Sequence, residues 1–175
     1  MPVLSPPVDD LAELVLGTLE EPWPTTDDDR RSFHRRLGLQ EEDVAGNTDD
    51  DQTSMSNLAT SLPGVTGVDT MFRGEFLGLS LFAYTQHHDD GAESRTAYPL
   101  LRHILSDRLG SPAEEWGPSN EPACFWLSGA LQLEMYCFQR RLSGIMLGPS
   151  HVARSAAHDR EAVERQRRSD PRDDQ

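Results

Sequence analysis

The chain has 175 residues, 16 basic against 30 acidic, and a formal net charge of −14. That length suits one domain of ordinary size, and with 36% hydrophobic and 7% aromatic residues it can fill one modest core but not two. The acidic balance argues against a protein whose main task is to coat nucleic acid. No run approaches the roughly 18 consecutive apolar residues of a membrane-spanning helix. Met1-Pro2-Val3 opens without a basic region leading into an apolar stretch, so no secretory signal is expected.

All 16 basic residues are Arg, and Ile occurs only at Ile104 and Ile145, a bias that suggests a GC-rich coding sequence and a bacterial source. Residues 151–175 hold six Arg and six Asp or Glu. The tail is therefore neutral, and the net negative charge lies in residues 1–150.

In chain order, Asp10-Leu11-Ala12-Glu13 carries a capping signal, followed by Leu14, Val15 and Leu19 at helical spacing, with Pro22 and Pro24 closing the helix. A second helix is expected from Thr26, with Asp27, Asp28 and Asp29 at its positive end, Arg35 and Arg36 near the other, and Gly38 as its stop. Only Phe33 and Leu37 give it an apolar stripe, which predicts a surface position. Residues 40–57 combine Glu41, Glu42, Asp43, Asp49, Asp50 and Asp51 with Gly, Asn, Thr and Ser and no basic residue, the composition of a solvated loop.

Between Val65 and Tyr84 two strands are expected around Arg73-Gly74. Val68, Thr70 and Phe72 share one face of the first, and Leu77, Leu79 and Leu81 one face of the second. His87-His88-Asp89-Asp90-Gly91 reads as a turn or loop. A helix follows at about 97–109, with Leu101, Ile104, Leu105 and Leu109 on one side, Pro99 near its start and Gly110 as terminator. Glu114 and Glu115, between prolines, read as a solvated connector. Residues 123–147 read as a three-stranded meander. One face holds Cys124, Trp126, Leu131, Leu133, Met135 and Cys137, the expected core. The other holds Phe125, Leu127, Gln132, Glu134, Tyr136 and Phe138, too aromatic to be plainly wet, and so either partly covered by the N-terminal helices or used for contact. From His151 the apolar content collapses, and i,i+4 pairs such as Glu161/Arg165 predict a weak helix that frays beyond about residue 168.

A turn at Ser128-Gly129 would place Cys124 opposite Leu133, four residues from Cys137. At about 3.4 Å per residue the two thiols would stand more than about 10 Å apart, beyond bridging reach. Reduced, buried thiols and a cytoplasmic protein are the expectation.

The residues that could carry chemistry do not assemble in the sequence. His87-His88-Asp89-Asp90 offers ligand types, but adjacent ligands cannot close a metal shell alone, and no HxxxH, HxxE or CxxC spacing accompanies them. No GxSxG elbow, P-loop or GxGxxG is present. Catalytic residues, metal ligands and a cofactor are therefore not assigned. The acidic residues are the feature that acts at a distance, since a dense negative surface attracts a basic partner.

The opening helix ending in Glu21-Pro22-Trp23-Pro24, the second closing at Leu37-Gly38-Leu39, and Leu109-Gly110-Ser111-Pro112 leading through Trp126 into Leu131/Leu133/Met135 span residues 9–148. In these features the chain resembles small bacterial α+β proteins of unknown function, some of them similar to immunity proteins that neutralise toxins of polymorphic secretion systems. The resemblance implies an inhibitor of a protein and supplies no catalytic residues.

The expectation is an α+β fold: residues 1–150 as one domain with a mainly antiparallel sheet of about five strands, two N-terminal helices and one central helix packed on it, and residues 151–175 as a polar charged tail, partly helical or disordered. The expected function is a non-enzymatic acidic binding protein, an immunity-like inhibitor of a basic toxin or other basic protein partner. Glu41, Glu42, Asp43, Asp49, Asp50 and Asp51 would supply attraction, and Tyr136 and Phe138 the apolar anchor. One alternative is a secretion-chaperone-like protein holding an apolar segment on its sheet face; another is a metal-dependent enzyme using the His87/His88 region. Neither nucleic acid nor a membrane is expected as a partner, and the pattern assigns no oligomeric state.

Overall fold

The computed structural model describes residues 4–42, 53–87, 91–139 and 141–169. Its elements are α1 (Val8–Thr18), α2 (Asp27–Arg36), β1 (Gln40–Glu41), β2 (Thr53–Ala59), β3 (Thr66–Phe72), β4 (Glu75–His87), α3 (Ala92–Leu109), β5 (Glu114–Trp116), β6 (Ala123–Ser128), β7 (Leu131–Gln139), β8 (Leu142–His151) and α4 (Val152–Ser169). The fold is α+β. Its strands form one antiparallel sheet in the order β1-β2-β3-β4-β8-β7-β6-β5, so two four-stranded meanders joined through α3 meet at β4 and β8.

Eight strands replace the expected five or so, and four helices the expected three. The additional strands lie where side-chain alternation is silent. In β2 only Leu58 is buried, and Ser54, Met55 and Asn57 are exposed, so the strand is defined by its backbone register with β3 and not by an apolar face. The supposed solvated loop therefore ends before Thr53. β5, the supposed connector at Glu114-Glu115, is an exposed edge strand pairing Glu114 with Phe125 and Trp116 with Ala123. Both edges of the sheet are short: β1 has two residues and β5 three.

The turns follow from backbone freedom. Arg73 and Gly74, both at positive φ (52° and 77°), close the β3–β4 hairpin, the left-handed pair that matches strand twist. The β6–β7 turn sits one residue later than expected, at Gly129-Ala130, because Gly129 supplies the positive φ of its first central position. That shift sets Cys124 opposite Met135 and Trp126 opposite Leu133. Cys124 and Cys137 are both buried and free.

The inner face of the sheet forms the core with α1, α2 and α3. Leu11, Val15, Leu81, Leu101, Leu105, Cys124, Leu133, Met135, Ile145 and Leu147 have no accessible surface. α3 begins earlier than its apolar stripe suggested, at Ala92 behind Gly91. α1 starts at Val8 behind Pro7, so Asp10 lies in its first turn instead of capping it. α2 is capped by Thr26, whose hydroxyl accepts from the Asp29 N–H while the Asp29 carboxylate accepts from the Thr26 N–H. It lies on the surface as expected, with seven of its ten residues exposed, but its buried stripe holds Arg30 and His34 as well as Phe33. Phe33 packs edge-on against Phe76 and Trp23, and the Trp23 indole donates to the Phe76 carbonyl at 3.2 Å.

The N-terminal helices thus cover the inner face and leave the other open. α4 lies against part of that outer face, with Ser155 and His158 over Thr70, Ser80 and Met146 and the His158 ring edge-on to Phe72 at 4.9 Å. Arg154 fastens its first turn by donating to the carbonyls of Pro24 and Phe76.

Candidate functional site: an open aromatic sheet face

Cross-strand register lays out the outer face in rows. One row runs Trp116, Ala123, Tyr136, Met146, Phe82 and Thr66, each opposite the next on a neighbouring strand. Glu114, Phe125, Glu134 and Gly148 form the adjacent row. Phe138 stands opposite Gly144, where an added Cβ would come within 2.7 Å of its ring, so the missing side chain is what lets the ring lie over β8. A depression of about 360 Å³ lined by Thr66, Phe82, Thr85 and Leu142 continues the surface. Of the six large hydrophobic residues exposed among the described ones, Met55, Trp116, Leu127 and Leu142 fall on this face, so exposed apolar area is concentrated here and not scattered.

Tyr136 and Phe138, the expected anchors, are both half-buried on this face. The Tyr136 ring meets Trp116 edge-on at 5.5 Å and 79°, and its hydroxyl donates to Glu134 Oε2 at 3.2 Å. Burial, with the Glu134 charge second, pushes its phenol up to about 12, so it remains a donor. Glu134 thus holds Tyr136 and Gln132 on its own strand. Glu115 points away to Arg102 on α3.

The acidic residues divide. Asp43, Asp49, Asp50 and Asp51 lie outside the described residues. Glu42 is exposed. Glu41 turns inward to Arg30 and does not stand free as an attracting charge. Asp27 likewise pairs with Arg30 and Arg31, the Arg30 contact chiefly holding its carboxyl below the usual range.

The sequence reading missed a buried ionic cluster under α2. Asp69, wholly buried on β3, accepts from Arg30 Nη1 and, at 3.1 Å, from the Ser56 N–H. Arg30 also holds Asp27 through Nε and Nη2, at 3.0 and 2.8 Å. Burial alone would lower the Arg30 pKa, but Asp27, Asp69 and Glu41 outweigh it and raise the value. His34, 3% exposed, has Nδ1 3.5 Å from Glu41 and Nε2 3.4 Å from Asp69, with neither nitrogen in a hydrogen bond. Burial, countered by the carboxylates, lowers its pKa. His34, Glu41 and Asp69 are close enough to share a cation. Arg30 Nη1, however, already sits on Asp69 Oδ2 and Glu41 Oε1, the two carboxylate oxygens closest to the imidazole, so the cluster has its cation.

This cluster left a signal in the sequence. Arg30, Phe33, His34 and Leu37 have i, i+3, i+4, i+7 spacing, whereas the apolar alternation of Val68, Thr70 and Phe72 reads as a core face in the sequence and turns outward in the fold, which puts Asp69 inward. An inward carboxylate requires a cation. The His87 backbone ends β4 opposite Leu142, and His88, Asp89 and Asp90 lie outside the described residues.

No family model, curated protein or solved structure matches the chain. Among the described residues no helix is long and apolar enough to cross a membrane.

Proposed function

We propose that this is a non-enzymatic, acidic binding protein, immunity-like in action, that inhibits a basic protein partner by covering it with the outer face of its sheet. The observation that carries the reading is the contiguous apolar, mainly aromatic surface of Trp116, Phe125, Tyr136, Phe138, Met146 and Phe82, which α1–α3 leave uncovered and α4 meets only at Met146. Desolvated aromatic anchors supply most of the affinity of protein interfaces, and charge complementarity supplies encounter rate and selectivity. With a net charge of −14, a basic partner meets a favourable field over the whole approach.

The test is capture from the source organism with the intact protein and, in parallel, with the Tyr136→Ser/Phe138→Ser variant. The reading expects a stoichiometric basic protein that the intact chain retains and the variant loses, with an association rate that falls steeply between low and high salt. Retention of the same protein by both baits would refute it. The apolar character of the face also favours a second reading, a secretion-chaperone-like cradle for an apolar segment. That occupant would be lost with the same variant but would associate at a rate insensitive to salt.

A further inference from the structure

The outer face carries its acidic and aromatic groups in a pattern more specific than a sticky patch. Glu114, Phe125 and Glu134 are successive cross-strand neighbours, so a carboxylate flanks the Phe125 ring on each side. The next row places Trp116, Ala123 and Tyr136 alongside, with the Trp116 and Tyr136 rings meeting edge-on and Ala123 buried between them. Trp116 lies 6.1 Å from Phe125 and 5.5 Å from Tyr136, so the three rings make a corner. Directly opposed side chains on a sheet are about 5 Å apart, which sets the carboxylates within reach of one group lying on the rings. The described outward residues of β5–β8 include no arginine to neutralise them.

Resting on the reading of this face as the contact surface, we propose that the corner is a receptor for an arginine side chain of the basic partner. A guanidinium is flat, stacks on aromatic faces, and donates in plane to carboxylates at its rim. Glu134 retains acceptor capacity beyond its bonds to Tyr136 and Gln132, because a carboxylate offers about four lone-pair sites. An ammonium is a compact, strongly hydrated charge and uses the ring faces less well, so arginine is favoured over lysine.

Three acetylated and amidated hexapeptides test this: alternating arginine and leucine, lysine and leucine, and citrulline and leucine, the last a neutral near-isostere of the first. Trp116 is 38% exposed whereas Trp23 and Trp126 are 7% and 1% exposed, so peptide-dependent tryptophan emission reports chiefly on the corner. The arginine peptide is expected to bind about tenfold more tightly than the citrulline peptide and several-fold more tightly than the lysine peptide. Glu114→Gln and Glu134→Gln should each weaken it several-fold. Asp28→Asn, which removes the same charge from 94%-exposed Asp28 on α2, should leave binding unchanged. Citrulline binding equal to arginine, lysine equal to arginine, an equal effect of Asp28→Asn, or no saturable binding of the arginine peptide would each overturn the proposal. Equal binding of arginine and citrulline peptides, abolished by Tyr136→Ser/Phe138→Ser, would remove the arginine receptor and leave the contact face standing. Arginine-peptide binding that survives that variant would remove the contact face itself.

Discussion

Replacing Asp69 by Ala takes away a carboxylate with no accessible surface that accepts from Arg30 and from the Ser56 N–H. Breaking a buried ion pair costs about 3–5 kcal/mol, and each hydrogen bond to a charged group contributes about 1.5–3. Arg30 keeps Asp27 and Glu41, so its charge is not left alone, and the loss should sit near the lower end, about 3 kcal/mol. Arg30→Met leaves Asp69 with a single backbone donor and should cost about 3–4 kcal/mol. The pair should not add: Arg30→Met/Asp69→Leu removes both charges and both desolvation penalties, and should lose little more than one single variant. Urea unfolding at neutral pH followed by far-UV circular dichroism measures all the variants, with an unchanged m value as the check on comparability. Single losses below about 1 kcal/mol, or a double loss equal to the sum of the singles, would refute the assignment of this cluster as a coupled ionic core.

His34 is held neutral by burial, so its folded pKa lies below that of the unfolded chain. The unfolded state then binds the extra proton, and the contribution of His34 to stability is complete above the ordinary histidine pKa of about 6.5 and is lost as pH falls below it, at up to about 1.4 kcal/mol per pH unit. His34→Phe should flatten that limb of a stability–pH profile, and an unchanged limb would contradict it. Leu133→Ala, at a site with no exposure, should cost about 2–5 kcal/mol, whereas Leu127→Ala on the outer face, 54% exposed, should stay within about 0.5 kcal/mol in the same urea titration. Cys124 and Cys137 are buried, and burial pushes the Cys124 thiol up, so a disulfide-exchange reagent should label both only as fast as the protein opens. Rapid labelling in native buffer would show the inner face to be accessible.

The parts of the fold legible in the sequence are those whose side chains report their own burial. α1, the β3–β4 hairpin and the β6–β7–β8 meander announce themselves through spacing, and the inner and outer faces of β7 separate as its alternation requires. β2 and β5 were illegible because their pairing is a backbone matter, with exposed polar and charged residues of loop-like composition. The β6–β7 turn was misplaced by one residue because both Ser128-Gly129 and Gly129-Ala130 contain the needed glycine, and only the register decides between them. Tyr136 and Phe138 were legible as members of an aromatic face. Trp116 was not, since its place beside them depends on the unforeseen β5. Asp69 and His34 went unrecognised because a helix and a strand 39 residues apart at Arg30 and Asp69 meet only through the fold.

The stub-like rims of the sheet limit how any companion can attach. A two-residue strand at one margin and a three-residue strand bearing Glu114 and Glu115 at the other give an incoming strand almost no ladder to extend. Strand addition onto β1 or β5 themselves is thereby disfavoured, as is stacking of one copy upon another through them. On the proposed reading, a partner would meet the broad face of the sheet rather than its rims.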